Sequence, residues 1–220
     1  MSFGRWPVVG ALVAVAVSVA ALLSGPAPKA RADCPDVQLI FARGTNEPPG
    51  LGAVGDALFG ALQGSLGGRS FDNYAVNYPA SYNFLQTGDG ANDARDHIAA
   101  MVDQCPATHL ILGGFSQGAA AVSMLAGVPP LGNTIGEFGS APALDPGLAN
   151  KIRAVAVFGN PGNRFNTPLS TAGAFAGRAI DLCAAGDPVC VVGGRDRDAH
   201  HDYSAPPFPG QAAGFVAGRV

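Results

Sequence analysis

The serine at position 116 lies in the segment Gly114-Phe115-Ser116-Gln117-Gly118, which has the pattern G-x-S-x-G. An apolar run at 109–113 precedes it and an alanine-rich run at 119–126 follows it. This order predicts a strand that turns abruptly into a helix, with the serine hydroxyl exposed and glycines where a Cβ would clash. The alternative is an ordinary strand–helix turn, but the context favours Ser116 as a nucleophile for acyl transfer.

A serine hydroxyl is a poor nucleophile at neutral pH and needs a base, which the four histidines could supply. His97 is expected mid-helix at a solvated surface. His109 opens the strand that leads to Ser116 and should lie at the opposite end of the sheet. His200 and His201 remain as candidates, in a loop near the end of the sequence.

A carboxylate must orient the ring of such a base and stabilise the imidazolium that forms. Asp187 lies between Cys183 and Cys190, and a disulfide between them would restrict the loop around it. Other acidic residues directly beside the histidines are poorly placed to reach back to a ring nitrogen. We therefore predict Asp187 as the acid, and the chain order serine, aspartate, histidine is that of α/β-hydrolases.

An acyl-transfer intermediate also needs hydrogen-bond donors for its oxyanion. One expected donor is the backbone N–H of Gln117, directly after the candidate nucleophile. The other is expected in the loop after an early apolar run at 37–41, where Thr45 could offer both its N–H and its hydroxyl.

Alternating apolar patterns predict the elements that would hold these residues. Between two of them, residues 128–150 are rich in proline and glycine and are expected to form a surface excursion. Strands alternating with helices imply an α/β fold with a mostly parallel sheet covered on both faces. The predicted strands span 37–41, 74–78, 109–113, 154–158 and 178–182, and the predicted helices span 51–66, 89–104, 119–126 and 211–219.

Residues 1–32 have the layout of a secretory signal peptide. Arg5 is followed by an uncharged apolar run at 8–23 and then by Ala30-Arg31-Ala32, so we expect cleavage after Ala32 and export. A membrane anchor is the alternative, but the run of about 16 residues is short for a span of about 20.

The remaining residues, 33–220, are expected to form a single domain. They contain ten basic and sixteen acidic residues, a formal charge of −6, so a nucleic-acid partner is not expected. The four cysteines, an even number in an exported chain, predict two disulfides with three possible pairings. Sequence position favours Cys183 with Cys190 and Cys34 with Cys105. Because metal-ligand spacing is missing, no metal or cofactor is expected.

Several segments together resemble the cutinase family of small serine esterases, and more closely its bacterial branch. The resemblance extends over nearly all of 33–220. The segments that carry it are 41–45, 74–80, 113–118, 158–161, 181–190 and 199–203.

The resemblance implies a small α/β-hydrolase, a three-layer sandwich with about five strands, no lid domain and a site open to solvent. It implies the same two disulfide pairings, Ser116 and Asp187 as nucleophile and acid, and Thr45 and Gln117 as oxyanion donors. The family's histidine has a tyrosine three positions on, which selects His200 over His201. Residues expected to form an apolar rim for the acyl chain are Tyr82, Phe84, Leu85, Val191 and Val192.

We therefore expect a secreted, monomeric serine esterase that acts on carboxylic esters of short to medium acyl chains, lipids or polyesters. Contact with a membrane or cell-wall surface is left open. Alternatives on the same residues are an acetylxylan-type deacetylase, a phospholipase or lipase, and acyl transfer to an alcohol. A non-enzymatic alternative is an exported surface or interaction protein with a vestigial site.

Overall fold

The computed structural model describes residues 1–4, 34–132 and 138–220. The predicted signal peptide therefore lies, except for its first four residues, outside the described residues, as do residues 133–137 of the Pro/Gly-rich excursion. None of the helices in the described ranges is long and apolar enough to cross a membrane.

Five parallel strands form the central sheet, in the order β2-β1-β3-β4-β5. The central strands are buried along almost their whole length, as a parallel sheet covered on both faces requires. The predicted α/β fold class is confirmed. The strands are β1 (Val37–Ala42), β2 (Phe71–Ala75), β3 (His109–Phe115), β4 (Ile152–Phe158) and β5 (Ala179–Leu182).

Helices cover both faces of the sheet and bury alternate residues of its strands. Leu39 and Phe41 pack in the cluster that includes α1 and α5, whereas Ile40 packs in the cluster that includes α2, α3 and α4. The result is a three-layer sandwich. The helices are α1 (Gly52–Ser65), α2 (Thr87–Gln104), α3 (Gln117–Leu125), α4 (Pro146–Ala149) and α5 (Phe208–Ala217).

The second strand ends earlier than the sequence predicts. It pairs with β1 from Phe71 to Ala75, so the predicted strand at 74–78 is wrong beyond Ala75. The apolar alternation continues because Val76 and Tyr78 are buried against the α2 side of the core, outside the strand. Because β2 is an edge strand, its more polar first half is tolerated in the ladder.

The carboxyl ends of the parallel strands meet at one edge of the sheet. Four of the five strands are followed there by segments that hold a candidate site residue or carry the family resemblance. These segments are 43–47 after β1, Ser116 after β3, 159–161 after β4 and 183–190 after β5. The topology therefore brings residues that are far apart in sequence to one edge.

Two disulfides lie in the described residues. Cys34 is bonded to Cys105 across 71 positions, and Cys183 to Cys190 across 7. The first joins the residues before β1 to the end of α2, and the second closes the loop after β5.

Removing the long bridge should destabilise the protein more than removing the short one. Closing a loop restricts the unfolded chain more as the loop lengthens, by about 4 kcal/mol for the Cys34–Cys105 loop and about 2.5 kcal/mol for the Cys183–Cys190 loop. Urea unfolding of the two double alanine variants would measure this difference. A larger loss of unfolding free energy for the Cys183/Cys190 variant would contradict the prediction.

Candidate active site

Ser116 occupies a strained turn between β3 and α3. Its φ of 53° and ψ of −114° are rarely adopted by residues other than glycine, and its backbone N–H donates to the Phe158 carbonyl at 2.9 Å. A Cβ at Gly114 would lie 2.5 Å from the Gly118 carbonyl oxygen, and one at Gly118 would collide with the backbone of Ala42. Both glycines of the G-x-S-x-G segment are therefore required by close packing.

The hydroxyl of Ser116 lies 2.9 Å from Nε2 of His200, and Nδ1 of His200 lies 2.8 Å from Oδ2 of Asp187. Because a carboxylate only accepts hydrogen bonds, Nδ1 carries a proton; in the neutral ring Nε2 is then free to accept from the serine. The structure thus brings Ser116, His200 and Asp187 together. His201 is exposed, with its ring centroid 5.9 Å from that of His200.

Asp187 is fully buried yet held as a carboxylate. Burial by itself raises its pKa. Hydrogen bonds from His200, from the Tyr203 hydroxyl and from the Val189 backbone N–H outweigh that effect, so the pKa lies below its ordinary value. The carboxylate therefore keeps the charge that can stabilise an imidazolium.

Tyr203 is a functional contact that the sequence analysis did not identify. Its phenol is buried, donates to Asp187 Oδ2 at 2.5 Å and accepts from the Ala184 backbone N–H at 2.8 Å. Burial raises the pKa of Tyr203 far above its usual value, so the hydroxyl remains a donor. The tyrosine three residues after His200 was a signal, used only to choose between the two histidines.

Gly159 is a second residue that the sequence analysis missed. Its φ is +55°, and a Cβ there would lie 2.9 Å from Cε1 of His200. The absent side chain leaves room for the imidazole. Its place directly after β4 could have drawn attention to it.

Thr45 and Gln117 also lie next to each other. The Thr45 hydroxyl donates to Oε1 of Gln117 at 3.1 Å, and Nε2 of Gln117 donates to the Thr87 hydroxyl at 3.0 Å. Thr87 in turn donates to the Phe84 carbonyl at 2.7 Å. The Thr45 hydroxyl proton is therefore directed to Gln117, whereas the Thr45 backbone N–H has no acceptor among the described residues.

The predicted rim residues lie on two segments next to this site. Tyr82, Phe84 and Leu85 precede α2, and the Phe84 carbonyl is connected to Gln117 through the Thr87 hydroxyl. Val191 and Val192 follow Cys190 and continue the Asp187 loop. Phe84 is half-buried and stacks on Phe138 at 5.0 Å between ring centroids. Val191 is also half-buried, whereas the more exposed members are Tyr82, Leu85 and Val192.

The two remaining histidines lie outside this group. His109 begins β3, whereas Ser116 follows its last residue. The prediction of a solvated His97 is wrong, because its ring stacks on Tyr74 at 3.5 Å and its Nε2 lies 2.8 Å from Gln38 Oε1. Within the described ranges, no group of three acidic, histidine or cysteine side chains could hold a metal ion.

Replacing Tyr203 by phenylalanine should weaken the dependence of stability on acid pH. Because the folded-state pKa of Asp187 is lowered, its carboxylate stabilises the fold above about pH 4, and that contribution is lost as the pH falls through the folded-state pKa. Losing the Tyr203 hydrogen bond raises this pKa, so less stability should be lost between about pH 5 and about pH 3.

Urea unfolding across this pH range would measure the effect, with Tyr82→Phe as the matched control because its phenol is exposed. The control should follow the wild-type profile. An equally steep loss of unfolding free energy in Tyr203→Phe and wild type would contradict the prediction.

Comparisons with known proteins identify the family to which this chain belongs. The family model for cutinase matches residues 33–220. The chain is 45% identical over 225 residues to the phospholipase Culp4 of Mycobacterium tuberculosis, covering 99% of this chain and 96% of that protein. It is 47% identical over 214 residues to the probable carboxylesterase Culp3 of the same species, covering 96% and 79%.

Among solved structures, a Trichoderma reesei cutinase in complex with a phosphonate inhibitor superposes with a TM-score of 0.66 and 32% identity. The match covers 84% of this chain and 76% of that one. With a family match over all of 33–220 and relatives above 40% identity, this chain belongs to the cutinase family and is a carboxylic ester hydrolase.

Proposed function

We propose that this protein is a secreted serine esterase that hydrolyses lipid-like carboxylic esters through an acyl-enzyme on Ser116. The observation that carries the proposal is the continuous hydrogen-bonded series from Ser116 Oγ through His200 to Asp187, at 2.9 Å and 2.8 Å. A hydroxyl, a neutral imidazole and a buried carboxylate in this order are what nucleophilic ester cleavage needs.

In acylation, Ser116 Oγ attacks the ester carbonyl carbon while its proton passes to His200 Nε2. The tetrahedral intermediate collapses by breaking the bond to the alcohol oxygen, which takes the proton from Nε2. Water then attacks the acyl-enzyme with His200 again as base, releasing the acid and the serine. Asp187 stays ionised throughout and stabilises the imidazolium.

The backbone N–H groups of Gln117 and Thr45 are the proposed oxyanion donors. Gln117 is the first residue of α3, where the first-turn N–H groups lack partners within the helix. Among the described residues, none accepts a hydrogen bond from the Thr45 N–H. Two free donors beside the nucleophile would stabilise negative charge as it develops on the carbonyl oxygen.

The proposed substrates are esters with an apolar acyl chain. Three exposed side chains, Tyr82, Leu85 and Val192, lie on the two segments beside the serine and offer apolar surface to such a chain. Phospholipid hydrolysis is the second candidate, and the observation that favours it is the 45% identity to a protein named as a phospholipase.

Export is supported by the two disulfides, which are typical of oxidising compartments. We propose that residues 1–32 are a cleaved signal peptide and that 33–220 is the single working domain. If so, protein collected from the medium should begin at Asp33. An N-terminal sequence that begins at Met1, or a protein retained entirely in the cytoplasm, would contradict this.

Hydrolysis of p-nitrophenyl esters from C2 to C16 tests the catalytic proposal. Wild type should act best on C4 to C8 chains, and Ser116→Ala and His200→Ala should lose about 10⁴-fold or more in turnover. His201→Ala is the matched control, an adjacent histidine outside the hydrogen-bonded series, and should lose less than about tenfold, since it makes no bond to the serine or the carboxylate.

Equal losses for the two histidine variants, or a Ser116→Ala variant that retains activity, would refute the proposed mechanism. Fatty-acid release from phosphatidylcholine vesicles, again with Ser116→Ala, separates the two substrate classes. Activity on C2 esters alone would favour a deacetylase instead.

A further inference from the structure

Arg43 is a buried cation directly after β1, with only 3% of its surface exposed. Its guanidinium donates to three backbone carbonyls, those of Glu47 at 2.9 Å, Val76 at 3.3 Å and Tyr78 at 2.6 Å. Among the described residues, Arg43 forms no ion pair with a carboxylate. Its positive charge is therefore stabilised by the dipoles of the three carbonyls. A fork of five N–H donors suits this task better than a lysine ammonium.

The contact between Arg43 and Tyr78 is reciprocal. The guanidinium donates to the Tyr78 carbonyl, and the Tyr78 hydroxyl donates back to the Arg43 carbonyl at 2.5 Å. Burial raises the pKa of Tyr78 well above its usual value, so its hydroxyl remains protonated and can donate. The guanidinium also lies 5.1 Å from the centre of the tyrosine ring. These contacts join the segment after β1 firmly to the segment after β2.

Glu47 holds the other end of the same short loop. Its carboxylate accepts from the Gly44 backbone N–H at 2.6 Å and from the Ala53 backbone N–H, in the first turn of α1, at 2.8 Å. Its carbonyl is one of the three that Arg43 contacts. Residues 44–46 are therefore held at one end by Arg43 and at the other by Glu47, and Thr45 is the middle residue of this segment.

We propose that Arg43 is a positioning residue of the esterase reaction: it fixes the loop that presents the Thr45 N–H to the oxyanion. Arg43 does not touch the reacting atoms, and this inference rests on the proposed function of Thr45. Its buried positive charge, two residues from that donor, adds a favourable field for negative charge on the carbonyl oxygen. Losing the fork should thus raise the barrier to the tetrahedral intermediate without weakening substrate binding.

Arg43→Lys is the primary test, because it keeps the charge and removes the fork. We expect kcat for p-nitrophenyl butyrate to fall by about tenfold to a hundredfold while KM changes less than about twofold. Inactivation by a p-nitrophenyl phosphonate, whose phosphoryl oxygen enters the same donor site, should slow by a similar factor. Arg43→Met, which also removes the charge, should fall further.

Arg178→Lys is the matched control. Arg178 also donates to two backbone carbonyls, those of Ile152 at 3.2 Å and Ala174 at 2.7 Å, but it precedes β5, at the edge of the sheet opposite Ser116. The Arg178→Lys variant should lower the melting temperature in the same way as Arg43→Lys and leave kcat unchanged. An equal fall in kcat for both variants would reduce Arg43 to a general structural role and overturn the proposal.

An unchanged kcat in folded Arg43→Lys, or a loss confined to KM, would also overturn it. If Arg43→Lys does not fold, Tyr78→Phe decides, because it removes only the return bond to the Arg43 carbonyl. A fall in kcat of about threefold or more at constant KM is expected, and no fall refutes the role. Residual activity in Ser116→Ala would instead indicate failure of the proposed function, which keeps the two outcomes distinct.

Discussion

Helix α3 begins so close to the loop after β1 that no side chain fits between them. A Cβ at Gly118 would collide with the backbone of Ala42 and Arg43. A Cβ at Gly114 would lie 2.5 Å from the Gly118 carbonyl oxygen. This contact holds the strained Ser116 turn against the segment that carries Thr45. Main-chain packing therefore holds the serine turn next to the loop after β1 before any substrate arrives, as the proposed oxyanion role of the Gln117 and Thr45 N–H groups requires.

The second half of the site depends on holding a buried negative charge. Asp187 is removed from water, which alone would favour its neutral form, and hydrogen bonds from the imidazole, the Tyr203 phenol and a backbone N–H reverse that preference. The sulfur of Cys190 lies 3.2 Å from the same carboxylate and, being in a disulfide, has no proton to donate. The imidazole is then aligned by a group that is itself fully constrained.

Strand patterns and chain order were sufficient for the fold class and for placing Ser116 and Asp187 at one edge of the sheet with one of two late histidines. The choice of His200 over His201 came from the family resemblance. The sequence was insufficient where packing between distant segments decides. The apolar alternation through Tyr78 resembles a strand, yet Val76 and Tyr78 lie in an irregular segment after β2. The Tyr78 phenol bonds to Arg43, 35 residues away. No sequence pattern marks Arg43 as buried, because the three carbonyls that accept from its guanidinium belong to two different segments of the chain.

The Cys34–Cys105 bridge has a practical meaning for handling the protein. It fastens the chain at the amino edge of the sheet, and β1 then runs six residues, about 20 Å, toward the edge that carries Ser116. A linker or solid support attached just before Cys34 is therefore anchored about one strand length away from the edge that carries the serine. Immobilisation through that end should leave the reactive edge accessible to bulky or insoluble material.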